Sequence, residues 1–321
     1  MNGRNMGGRG MSVRYRNTSY TKKRAKAIVI ICAVAFAVIA ITLLIVGNVL
    51  KARSEDKSER PMGNVNDAVV SAGSDVPSVN GYAISLSRVN SKETTLASYT
   101  ANARKLGGTA VSFAARDKSG NELYTSSLAS SMGKQTGSGR VSLRDINNSA
   151  GSLRTSAGVN VSALGENNAV YRSVLLAYDA GICAELYSGG VDDVFIRLTK
   201  GKADTNSIEA LLNFSDSVKN IDSSVVLGIA LTNEFFALED ADTLIDRLSD
   251  KYDFLLLDLS GGIPSGKSAE EYVKASVDAA QLYVMMYKMR VLLPDADAGT
   301  TEALIAALRA KSIDNWQVYI P

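Results

Sequence analysis

From Gly81 to Pro321 the chain alternates short apolar runs with longer amphipathic stretches, and few folds accommodate that rhythm. Uninterrupted apolar runs of five to eight residues between helices mark parallel strands buried on both faces. The expected strands are Gly81–Leu86, Gly108–Ala114, Val159–Leu164, Val191–Leu198, Val225–Leu231, Tyr252–Leu259, Arg290–Leu293 and Trp316–Ile320. Between them, helical spacing is expected over Glu93–Leu106, from Ser142 through Leu153, and over Asn168–Leu186, Ser207–Ile221, Leu238–Leu248, Ser268–Lys288 and Thr300–Lys311. Glu122–Thr125 has the character of a small hairpin arm, and residues 127–140 are rich in Ser and Gly and are expected to be loop.

Eight strands and seven intervening helices over about 240 residues match a (β/α)8 TIM-like barrel. Its last helix is expected to be missing, or supplied by residues before Gly81. A doubly wound open sheet is the competing architecture. Against it, no Gly-rich phosphate loop follows any strand; Gly261-Gly262 after Leu259 is soon interrupted by Pro264. No cofactor is expected.

The second constraint lies upstream. Ala27 to Leu50 contains no charged residue, and as a helix it would be about 36 Å long, enough to cross a hydrocarbon core of about 30 Å. A secretory signal would have an apolar segment of only about 7–15 residues, and Ala33-Val34-Ala35 lies inside the run, so an uncleaved anchor is expected. Residues 1–26 hold eight basic residues and no acid. Positive charge stays inside. The expected organisation is a basic cytoplasmic tail over 1–26, a transmembrane helix over 27–50, a polar juxtamembrane linker over 51–80 and an extracytoplasmic barrel over 81–321. The chain is thus expected to be a single-pass protein of a cell membrane.

Without that tail, 27 basic residues face 33 acidic ones, so the exterior part has no basic footprint for nucleic acid. The only cysteines are Cys32, in the apolar span, and Cys183, in an expected helix, so no disulfide can form within the exterior domain. That suits a bacterium, a Gram-positive one in particular. The chain has no histidine, which removes Ser-His-Asp and Cys-His catalysis and argues against a zinc site. Cys183 then reads as a small buried apolar residue. The available chemistry is that of carboxylates, or none.

Between Gly81 and Pro321 the chain resembles the glycoside-hydrolase barrels, both the family-18 chitinase-like enzymes and a related bacterial glycosyl-hydrolase-like group. The likeness rests on the helix Tyr171–Leu186 followed by SGGVDDVFIRL from Ser188 to Leu198. It also rests on YDFLLLD from Tyr252 to Asp258, on Gly81-Tyr82 and on the turn Asp117–Asn121. In the chitinase-like enzymes the fourth strand carries alternating acids that end in a catalytic glutamate at its C-terminal end. Laying Gly190-Val191-Asp192 on their Gly-Phe-Asp puts Phe195 and Arg197 at acid positions and Thr199 at the glutamate. In the related group, too, an acid falls on Arg197. A threonine cannot protonate a glycosidic oxygen, and arginine is permanently cationic. The resemblance therefore implies a glycosidase-like barrel that has lost hydrolysis.

Two other carboxylates are candidates for the barrel mouth. Glu234, beside Asn233, follows the fifth strand, and Asp258 ends the sixth. If the protein hydrolyses glycans, these two are the expected acids. The plainer role for Glu234 is a first-turn helix acid with Thr232 or Asn233 as cap. For Asp258 it is a partner for a nearby Arg or Lys, or a loop-capping carboxylate. Arg197, Lys200 and Lys202 cluster after the fourth strand, and Arg197, Thr199, Lys200, Asn233 and Asp117 form the candidate ligand set. The three cations suit an anionic group such as a phosphate, a muramyl lactyl carboxylate or a wall teichoic acid, or else a solvated loop beside an ion pair to Glu234 or Asp258. Asp192 and Asp193 precede the fourth strand and are expected to face solvent at its start. Sugar-stacking aromatics are scarce. Tyr82, Tyr124, Phe195, Phe235 and Phe236 are more often core than cleft, and the single Trp316 is expected to pack in or beside the last strand. The expected partners are a cell-wall polysaccharide or an envelope protein, with the mouth filled and a side face used if the barrel is a scaffold.

Overall fold

The computed structural model describes residues 76–117, 119–133, 140–161, 169–198 and 205–320; side chains of 169–171, 198 and 205–207 are not described. The expected anchor at 27–50, most of the linker, Thr199 and Lys200 lie outside the described residues. Among the described residues, no helix is long and apolar enough to cross a membrane.

Eight parallel strands close into a barrel in sequence order, as in a TIM barrel. They are β1 (Asn80–Ile84), β2 (Ala110–Ala114), β3 (Arg154–Val161), β4 (Asp193–Leu198), β5 (Leu227–Thr232), β6 (Phe254–Asp258), β7 (Arg290–Pro294) and β8 (Trp316–Tyr319). The helices are α1 (Leu86–Asn90), α2 (Leu96–Lys105), α3 (Ser127–Ser131), α4 (Leu143–Ala150), α5 (Ala169–Ser188), α6 (Thr205–Ile221), α7 (Ala241–Ser249), α8 (Ala269–Met286) and α9 (Ala298–Ala310). The last described element is β8.

Helix starts follow local chemistry. Ser142 accepts from the Asp145 amide ahead of α4, and Ser268 and Glu271 form a reciprocal capping box ahead of α8. Two expectations about β2–β3 fail. Residues 127–131 form the short helix α3, because Ser126 caps it and Glu185 of α5 accepts from the Ser127 and Leu128 amides. Strand β3 begins at Arg154, five residues before its expected start. Its inward positions Ser156, Gly158 and Asn160 are small or polar, so the run lacks the continuous apolarity that marks its neighbours.

Register fixes which side chains fill the barrel. Gly158 pairs with Phe195, Phe195 with Gly228, and Gly228 with Phe254. Phe195, Phe254, Leu256, Leu292 and Tyr319 form the interior core with Ala114 and Ala230. Outward neighbours such as Ile196, Leu255, Leu257 and Val291 pack under the helices. Glycine is required where rings cross the axis: a methyl on Gly158 would lie 2.5 Å from the Tyr319 ring and 2.7 Å from that of Phe195. Gly158→Ala should therefore cost about 1–3 kcal/mol by overpacking, measured as a lowered midpoint in urea unfolding. An unchanged midpoint would mean that the rings have room to move.

The floor of the barrel holds a correction. Asp193 does not face solvent; it is fully buried and points inward, in register with Ser156. Arg290 Nη1 lies 3.1 Å from Asp193 Oδ1 and Nη2 3.3 Å from Oδ2, with both side chains 1% exposed. Gln317 Oε1 and the Phe254 ring face complete the guanidinium's surroundings. Asp192 is exposed and accepts from the Thr155 amide and hydroxyl.

Candidate functional site

The C-terminal ends of the strands form the mouth, where active sites sit on this fold. Arg197 is the last inward-facing residue of β4 and Asp258 the last residue of β6. Arg197 Nε donates to Asp258 Oδ2 at 2.7 Å, with the two side chains 13% and 3% exposed. The guanidinium lies over the Tyr319 ring, 5.4 Å from its centroid, and Nη1 reaches Asn160 Oδ1 at 3.5 Å. The other Asp258 oxygen accepts from both the amide and the hydroxyl of Ser260. Both oxygens of this carboxylate are thus engaged. Burial raises the Tyr319 hydroxyl above its ordinary range, with Arg197 working against the shift and Asp258 adding to it.

The remaining predicted residues are more scattered. Glu234 is exposed, at the start of the 3-10 turn Phe235–Ala237, and makes no capping bond. Asn233 Oδ1 is buried without a hydrogen-bond partner. Asp117 stands after β2, where its Oδ1 accepts from the Ser119 and Asn121 amides and its Oδ2 from the Asn121 side chain. Partial burial pushes its carboxyl up, but the Asn121 and Ser119 hydrogen bonds outweigh this and hold it below the usual range. Its oxygens are spent on shaping a turn. Arg197 and Asp258 are therefore in contact, whereas Asp117 is committed to its own loop. Phe195 and Trp316 are buried; Trp316 meets Tyr82 edge-on at 5.4 Å.

A second charged cluster went unforeseen. Arg116, just beyond β2, places Nε 3.1 Å from Glu122 and bonds Asp179 of α5 through Nη1. Tyr178 donates to Glu122 Oε1 at 2.5 Å, and the Arg116 guanidinium lies 4.9 Å from the Tyr178 ring centroid. All four residues are buried. Burial, and then the Glu122 hydrogen bond and charge, raise the Tyr178 hydroxyl. About two turns on, Glu185 accepts from Tyr124, Ser126 and the first amides of α3. These bonds fasten the 116–131 excursion to α5. The one sequence signal was a charge directly after an apolar strand, which demands an opposite partner.

Among the described residues, no group of acids or cysteines is arranged to hold a metal ion. Cys183 is fully buried and its thiol is pushed up, chiefly by that burial and next by Asp179. It is no nucleophile.

No protein-family model matches the sequence, and no curated protein matches it. Solved structures share the barrel at low identity. An endo-beta-1,4-mannanase double mutant of Cellulomonas fimi is 10% identical, covers 74% of this chain and 64% of its own, and has a TM-score of 0.48. A family GH18 chitinase domain from the fern Peteris ryukyuensis is 11% identical over 75% of this chain and 91% of its own, at 0.44. D-allulose 3-epimerase from Methylomonas sp. is 14% identical over 77% and 85%, at 0.42. The chain thus has TIM-barrel neighbours among glycoside hydrolases and sugar epimerases.

Proposed function

We propose that this protein is a membrane-anchored, non-hydrolytic barrel that binds an envelope glycan at its mouth. The anchor is the uncharged run 27–50, and the flanking charge pattern puts the barrel outside the membrane. The single observation that carries the loss of hydrolysis is the Arg197–Asp258 pair. Glycoside hydrolysis generally uses two carboxyl groups, one protonated to serve as acid and one free as base or nucleophile. Here an arginine occupies the position of an acid and engages one oxygen of the Asp258 carboxylate two strands along, while Ser260 takes the other. Asp258 is thus committed to an ion pair and a loop hydrogen bond, an arrangement that supports a structural role over attack on a sugar.

The test is direct. The full chain in detergent, incubated with peptidoglycan fragments or chitooligosaccharides, should release no reducing ends above the buffer rate. Retention of muramyl-containing fragments on the immobilised chain should accompany this. Glu234→Gln should leave both results unchanged. Robust cleavage that Glu234→Gln abolishes would overturn the proposal in favour of a working hydrolase. Retention of an envelope protein in place of any glycan would assign the mouth, or a side face, to scaffolding.

A further inference from the structure

Six large apolar side chains stand out as exposed among the described residues: Leu106, Met132, Val174, Leu282, Met285 and Met286. Four of them lie at one end of the barrel. Helices in this fold run antiparallel to the strands, so helix C-termini gather at the end where strands begin. Leu282, Met285 and Met286 are in the last turns of α8, 65%, 58% and 62% exposed, and Leu106 caps α2 at 45%. Their i, i+3, i+4 spacing places the α8 trio on one face, turned from the core that Val277, Ala280 and Val284 enter.

The chain enters the barrel at the same place. The Val79 amide donates to Asn315 Oδ1 at 3.0 Å, and Asn315 Nδ2 donates to the Lys288 carbonyl at 3.0 Å. One side chain thus links the entry point to the end of α8. On the other side, Tyr82 of β1 donates to the Leu106 carbonyl at 3.4 Å, and Arg309 stands in the last turn of α9. Around this sector Lys105, Lys288 and Arg309 are exposed; the exposed acids are Asp314, Asp246, which accepts from Tyr287, and Asp278, which Lys274 and Lys311 neutralise. Val76, the first described residue, lies just before this entry point, so the sequence upstream of it joins the barrel covalently here.

We propose that this rim is a membrane-contact surface: Leu282, Met285 and Met286 enter the interface of an anionic lipid bilayer while Lys105, Lys288 and Arg309 meet its headgroups. The inference rests on the anchor reading above. Apolar side chains flanked by cations are the composition that binds an anionic interface. A patch of this size is small, but a tethered domain rebinds its own membrane at high effective concentration. The barrel then stands with its mouth away from the bilayer, open to envelope polymer.

The experiment uses the full chain with Cys32→Ser, Cys183 being buried, in vesicles of phosphatidylcholine and phosphatidylglycerol. An environment-sensitive fluorophore is placed on Met286→Cys or, as a control far from the rim, on Met132→Cys. Brominated lipid should quench the Met286 probe about twofold more than the control, and Leu282→Asp with Met285→Asp should abolish the difference. Equal quenching at both positions would overturn the proposal. Shielding of the Met286 probe from aqueous iodide without lipid quenching would overturn it in favour of contact between two copies. Alkaline carbonate extraction reports separately on the anchor. A chain that resists extraction while its Met286 probe stays in water keeps the anchor and refutes the rim; a chain that extracts but is quenched refutes the anchor and keeps the rim.

Discussion

Arg116→Met should destabilise the protein by about 3–5 kcal/mol, the cost of removing one partner from a buried ionic group. Arg116 serves two carboxylates, so the variant removes the guanidinium counter-ion from both Glu122 and Asp179, whose side chains are 2% and 4% exposed. Arg116→Lys should recover only part of the loss. An ammonium is a point donor and cannot present separate edges to Glu122 and Asp179. Trp316, the only tryptophan and fully buried, reports unfolding by fluorescence in urea. A midpoint unchanged from the parent would show that the two acids find other partners, and that the excursion after β2 is held chiefly by Glu185.

The second large effect is expected at the floor. Arg290→Met leaves Asp193 with Ser156 and, at 3.6 Å, with Arg154, whose side chain is 31% exposed. That substitute is too distant and too wet to replace a two-armed contact, and a loss of about 3–5 kcal/mol is again expected. The informative variant is the pair Arg290→Met with Asp193→Leu. With both charges gone, no buried ion remains uncompensated, and replacing a buried pair by apolar side chains is often nearly neutral. The double variant should therefore be more stable than Arg290→Met alone, by the same fluorescence assay. If it is worse, Ser156 and Gln317 depend on the charges more than the charges depend on each other.

Most of the barrel was legible because its strands are buried on both faces and written in Val, Ile, Leu and Phe. YDFLLLDL contains β6 within two residues at its start, and the amphipathic pattern from Ser268 contains α8 together with its cap. Strand β3 was displaced for a reason that belongs to the tertiary structure. Its interior positions must be small to admit Tyr319 and Phe195, and small residues carry no periodic signal. The ion pairs fared differently according to their height in the barrel. Arg197 and Asp258 sit at strand ends, where a charge draws attention, and their pairing was among the expectations. Asp193 and Arg290 open their strands, a position that suggests solvent. Only the parity shared with Phe195 and Leu292 places them inside. Arg116 and Asp179 are far apart in sequence, and no local pattern connects them.

The closure between β1 and β8 has a mechanical meaning for any pull applied at the N-terminal side of the barrel. Only Asn80 and Gly81 of β1 are in register with β8, opposite Trp316 and Gln317, whereas β3 and β4 share six such positions. Tension arriving from the N-terminus loads those first residues before any other strand, so the barrel should yield by peeling open along this seam. Such a seam would act as a fuse: it opens first, with β1 still paired to β2 and the other strands still holding one another.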